Sequence, residues 1–149
     1  MKSILGLNGR FKVSRLDKDG QVVEERKWKN NTVTEGGKAE VAELILGAGT
    51  AFDSVAIGSG TTGVTAASTQ LSEETNTRQS ATTSTETTDS TGDTSRFIAT
   101  FTFTQAGTIK EVGVFNHAST GDLLCGQTFS DVNVESSDSL QITYDVDVD

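Results

Sequence analysis

The chain reads as a mainly β protein: an antiparallel β-sandwich or jelly-roll-like barrel of about eight short strands with one short helix at about 35–46. Three observations predict this class. Apolar and polar residues alternate at period two in several short segments, most clearly at Arg96–Thr104 and Leu140–Val148. Glycine-containing turns separate these segments at spacings that leave room for strands and for little helix. Threonine and serine, which suit exposed strands, make up for a hydrophobic fraction of only 34% over 149 residues.

The elements follow in chain order. Gly9–Leu16 alternates through Phe11 and Val13, and Gln21–Trp28 has strand character, so the two form a hairpin around Asp17–Gly20. The Asp-Gly pair there supplies the positive φ of a tight turn. Trp28 is expected to pack on the core. Thr34–Gly47 is the one helical pattern, with Thr34 or a neighbour as N-cap, Gly47 as the stop and a broad apolar stripe of Ala39, Val41, Ala42, Leu44, Ile45 and Leu46. Val55 and Ile57 lead into the loop Gly58–Gly63, which has the glycines of a phosphate-cradling loop but neither its lysine nor its spacing. It reads as a strand-to-loop turn.

Residues 75–95 hold 13 Ser or Thr and one apolar residue, Ala81, a composition with almost nothing to bury. Order there requires backbone hydrogen bonds to a strand partner, in the same chain or a neighbour. Gln79–Thr88 is therefore read as one arm of a hairpin that turns at Ser90–Asp93 and returns as Arg96–Thr104, with Phe97, Ala99, Phe101 and Phe103 on the inner face. Ile109–Phe115 is expected to return antiparallel after the turn at Gln105–Gly107, followed by Leu123–Phe129 and the closing strand from Leu140. One domain spans 1–149, with an extended N-terminal segment 1–8 and the Thr/Ser-rich arm 75–95.

Composition narrows the function. A single cysteine, Cys125, excludes an intrachain disulfide, and with no leader-like or membrane-spanning run the chain is expected in a reducing cytoplasm. The net charge of −9 is uneven: residues 1–48 hold nine of the 12 Lys and Arg against seven acids, and the remainder holds three against fourteen. Such an acidic remainder repels nucleic acid and anionic membrane. No catalytic constellation emerges. His117, the one histidine, lies in a polar turn, and Cys125 sits beside Leu123 and Leu124 without an activating base. Asp145, Asp147 and Asp149 alternate with valines at about 7 Å along a strand, too far apart for one cation shell, and read as solvated or interface carboxylates. Asp17–Gly20 lacks the later bidentate glutamate of a calcium loop. No enzyme, metal or cofactor is expected.

Taken in order, Gly9–Val13 with its hairpin, Asn30–Gly37 opening a helix, Val55–Gly60, Leu71–Glu74 with Arg78, Gly107–Phe115 and Asp122–Phe129 resemble a family of small structural proteins of tailed phages. The resemblance spans nearly the whole chain and rests on turns and core positions. It implies a capsid decoration (cement) protein on the outer surface of the head lattice, a virion component partnered by the major capsid protein and by copies of itself, often as trimers. Similar proteins also occur at tail tips and fibres, where loops such as 58–70 and 116–122 meet a host surface. The Thr-rich segment 75–95 is not part of the pattern. The charge asymmetry makes the N-terminal end and the basic hairpin the expected contact with capsid or sister subunit: Met1, Lys2, Ser3, Ile4, Leu5, Arg10, Lys12, Arg15, Lys27 and Lys29.

Overall fold

A computed structural model describes residues 6–149. It contains eleven strands and one helix: β1 (Leu7–Leu16), β2 (Val22–Glu25), β3 (Lys29–Asn30), β4 (Thr32–Val33), α1 (Glu35–Ile45), β5 (Ser54–Gly58), β6 (Glu74–Ser80), β7 (Thr82–Glu86), β8 (Thr94–Thr102), β9 (Gly107–Phe115), β10 (Leu123–Val134) and β11 (Ser139–Val148). They form two antiparallel sheets stacked as a β-sandwich. One runs β2-β1-β11-β8-β7, with β3 also on β1; the other runs β4-β10-β9-β5-β6. The strands outnumber the expected eight because β3 and β4 are two residues long, too short to show alternation, and the polar 75–95 stretch supplies two strands.

The alternating segments bury the faces their pattern dictates. Phe97, Ala99 and Phe101 of β8 and Phe103 just after it point inward, as do Leu140, Ile142, Tyr144 and Val146 from β11, against Val55, Ile57, Val112, Val114 and Cys125 of the other sheet. Phe11 stacks on Tyr144 at 5.5 Å between ring centres. Burying each such side chain contributes about 1.5–3 kcal/mol. The Asp-Gly hairpin forms, with Gly20 at φ +77° and the Asp17 carboxylate accepting the N–H groups of Asp19 and Gln21.

Several expectations are corrected. Ile109–Phe115 does not return beside Arg96–Thr104: the chain crosses to the other sheet after Thr102, and β9 pairs with β5 and β10. The Thr-rich stretch splits likewise, because β6 pairs with β5 in one sheet, whereas β7 pairs with β8 in the other. Ala81, whose N–H binds the Asp53 carbonyl, marks the crossing. Leu7 and Asn8, at the end of the expected N-terminal segment, belong to β1 and pair with Val148 and Asp147. In α1, Thr34 caps the helix through Gly37 N–H at 2.9 Å, but the apolar stripe is narrow. Val41 and Leu44 are half-buried, while Ile45 and Leu46 are 75% and 82% exposed.

A second, smaller core covers the outer face of the β5–β9–β10 sheet. Ala56, Phe115 and Leu123 project outward there and are roofed by Val64 and Leu71 of the 59–73 loop. This roof explains why β5 is buried on both faces.

Candidate functional surfaces

Glu111 is fully buried on the outer face of β9, where the two ends of the 59–73 loop converge on it. Its carboxylate accepts the backbone N–H groups of Gly60 (3.1 Å), Ser72 (3.1 Å) and Glu73 (2.8 Å), and the Ser72 hydroxyl at 3.0 Å. A Cβ on Gly58 or Gly60 would collide with Oε1 of Glu111, so close approach, not turn geometry, demands glycine at both positions. The Gly60 amide, which a phosphate-cradling loop would offer to a ligand, serves an internal anion.

Arg78 forms the second half of this arrangement. It pairs with Glu74 through Nε at 2.9 Å and Nη2 at 3.0 Å, and donates from Nη1 to the carbonyls of His117 (2.9 Å) and Thr120 (2.6 Å). Its guanidinium lies 3.5 Å from the centre of the Phe115 ring, a cation–π contact. The 116–122 turn is closed further by Asn116 Oδ1, which accepts Asp122 N–H, and by His117 Nδ1, which accepts the N–H groups of Ser119 and Thr120. His117 is thus an exposed capping acceptor, with its Nδ1 lone pair already committed.

Cys125 lies in the opposite situation, with no exposed surface, beside Tyr144 and Asn31. Burial pushes its thiol up to about 12, the reverse of what a nucleophile needs. Among the described residues no three His, Cys, Asp or Glu side chains stand where they could hold one metal ion, and no helix is long and apolar enough to cross a membrane.

The three C-terminal aspartates do not share one environment. Asp145 is buried and binds Arg96 through two bonds of 2.7 and 2.9 Å and Arg10 at 3.3 Å, which corrects its reading as a solvated or interface carboxylate. Burial and the nearby Asp93 push the Asp147 carboxyl up, while Asp149 is exposed. Asp93 itself accepts the N–H groups of Ser90, Thr88 and Asp89, which hold its carboxyl well below the usual carboxylate range and shape the turn between β7 and β8.

The residues singled out for contact fall into three groups. Met1, Lys2, Ser3, Ile4 and Leu5 lie outside the described residues. Arg10, Lys12, Arg15 and Lys29 are engaged within the chain: Arg10 with Asp145, Lys12 with Glu25 at 3.6 Å, Arg15 with Asp138 at 2.9 Å, and Lys29 with the Thr128 carbonyl. Lys27 is exposed. Trp28 does not enter the core; 37% exposed, it lies over Arg10 at 4.2 Å on the outer face. Arg10 and Arg15 of the basic part thus meet Asp145 and Asp138 of the acidic remainder within the fold.

What remains open to a partner is of other kinds. The 59–73 loop, held by Glu111, and the 116–122 turn, held by Arg78 of β6, both lie over the β5–β9–β10 sheet. Between α1 and the inner face of β8, β11 and β1 an apolar slot of about 470 Å³ remains, lined among others by Leu7, Val41, Leu44, Phe97 and Val146. Finally, β7 presents Thr82, Thr83, Ser84 and Thr85 exposed at a sheet edge, the last three beside the mouth of this slot. Compared with protein-family models, curated proteins and solved structures, the chain gives no match in any of the three.

Proposed function

We propose that this chain is a structural protein of a tailed-phage virion, a decoration protein that binds the outer surface of the head lattice and stabilises it. The observation that supports this reading is what the resemblance residues do. Val55–Gly60, Leu71–Glu74, Arg78 and Gly107–Phe115, scattered along the chain, meet around Glu111 and Arg78 and build a rigid rim. Their task is architectural, which fits a protein whose product is a surface. A preordered surface loses little entropy on docking, and weak contacts repeated over a lattice add up. The partners on this reading are the major capsid protein and further copies of the chain, and the location is the outer capsid. Nucleic acid, membrane, cofactor and catalysis have no part in it.

A second reading, a tail-tip or fibre module that contacts the host surface, draws on one specific feature. The 116–122 loop, which such a module would use together with 58–70, is fastened to β6 by the Arg78 bonds to His117 and Thr120. The copy number of the chain in purified particles, measured by quantitative mass spectrometry against the major capsid protein, separates the readings. A number comparable with the capsid protein is expected for decoration, a handful of copies for the tail, and absence from particles overturns both. Deleting residues 1–5 tests the N-terminal contact, and undiminished particle binding would remove it.

A further inference from the structure

We propose that β7 is a self-pairing edge, through which two copies of the chain join antiparallel along Thr82–Glu86 and merge two six-stranded sheets into one. This inference does not depend on the virion reading. A free sheet edge offers unpaired N–H and C=O groups, and proteins block such edges with bulges, charges or covering segments. The described residues leave four edges, and three are blocked. The β2–β3 side has a register shift at Arg15/Leu16, and its Arg26 and Lys29 reach across to the carbonyls of Ser130, Asp131 and Thr128. The β4 edge is two residues long and runs directly into the helix cap at Thr34. On β6, two extra residues bulge between Thr75 and Gln79, with Asn76 at φ +62°. Only β7 has an unbroken register with its neighbour over all five residues, from Thr82↔Ile98 to Glu86↔Thr94, and no lysine, proline or bulge.

The edge's own sequence, Thr82–Glu86, suits a second copy as the occupant, because it can pair with itself about Ser84 without opposing like charges. The chain carries −9 overall, so two copies approach only where like charges are absent. Thr82–Thr85 has none, and Glu86 is partnered by Arg96 at 3.9 Å. Centred on Ser84, the antiparallel register sets β-favouring Thr83 opposite Thr85 and Thr82 opposite Glu86, with no charge facing its like. The two Glu86 residues then stand about 13 Å apart along the ladder, beyond the screening length at physiological salt. A two-fold contact uses the open edge of both copies at once, so the assembly closes at two.

The interface is short, so the dimer is expected to be concentration-dependent in sedimentation equilibrium on the full chain. Ser84→Lys sets two lysines together at the two-fold and is expected to weaken association by about two- to fivefold, with an unchanged circular dichroism spectrum. Ser84→Cys is expected to give a disulfide-linked dimer on mild oxidation, since Cys125 is buried and takes no part. A monomer at every concentration, a trimer or larger species, a dimer indifferent to Ser84→Lys, or no cross-link from Ser84→Cys would each overturn the proposal.

Discussion

Replacing Glu111 by alanine removes one acceptor from three backbone N–H groups and the Ser72 hydroxyl together. Buried donors left without partners cost about 1–3 kcal/mol each, so E111A is expected to lower the unfolding free energy by about 3–5 kcal/mol, read as a shift of the urea midpoint. Cys125 makes a quieter prediction. Its thiol ionises near 9.0 when unfolded and is pushed up to about 12 when folded. Its contribution to stability is therefore complete below the unfolded value and is lost as pH rises from there through the folded one. At mildly alkaline pH the native thiol is expected to resist an aromatic disulfide reagent and to react once urea unfolds the chain. Neither Glu111 nor Asp145 was legible as an internal anchor. Along the sequence Asp145 alternates with valine like any solvent-facing strand residue, and its partners Arg10 and Arg96 lie 135 and 49 positions away. Only the strand register brings them together. Glycines 58 and 60 carried the one usable signal, since two closely spaced glycines at a strand end mark a close approach.

Among the elements, α1 is held at one end. Its cap residue Thr34 is buried, and Gly37 lies against the backbone of Leu124, where an added Cβ would stand 2.6 Å from the carbonyl oxygen. Gly37→Ala is thus expected to lift the helix from β10 and destabilise the fold by about 1–3 kcal/mol, an overpacking cost measurable by denaturant titration. Beyond Leu44 the helix has no buried side chain, and hydrogen exchange is expected to be fastest at its C-terminal turn. The cap and stop of α1 and the inward faces of β8 and β11 were readable from local pattern, because capping and period-two alternation are properties of neighbours in sequence. The crossings between sheets at Ala81 and after Thr102 were not. A turn that keeps the chain in its sheet and one that changes sheet use the same residues, and the choice is made by distant partners.

At the scale of the molecule, the first and last strands are central. β11 lies between β1 and β8, and its ladder with β1 runs from Leu7↔Val148 to Leu16↔Ser139. A chain lacking residues 139–149 leaves β1 and β8 without the partner that joins them and is expected to show no cooperative unfolding transition. Pairing across the whole chain length also implies slow folding, on the order of milliseconds to seconds for such non-local topologies, measurable by stopped-flow refolding.

Gly6 and Asp149 exchange hydrogen bonds of 2.7 and 2.9 Å at the open end of this ladder. Tension applied through residues 6 and 149 meets the β1–β11 bonds one at a time, as a zip is opened. Tension carried across the strands by way of the sheet edges loads many bonds together. In single-molecule pulling the chain is expected to yield at low force when gripped by these two residues and at markedly higher force when gripped at Thr83 and Lys29. Any assembly that puts this protein under strain is best served by taking the load through its flanks.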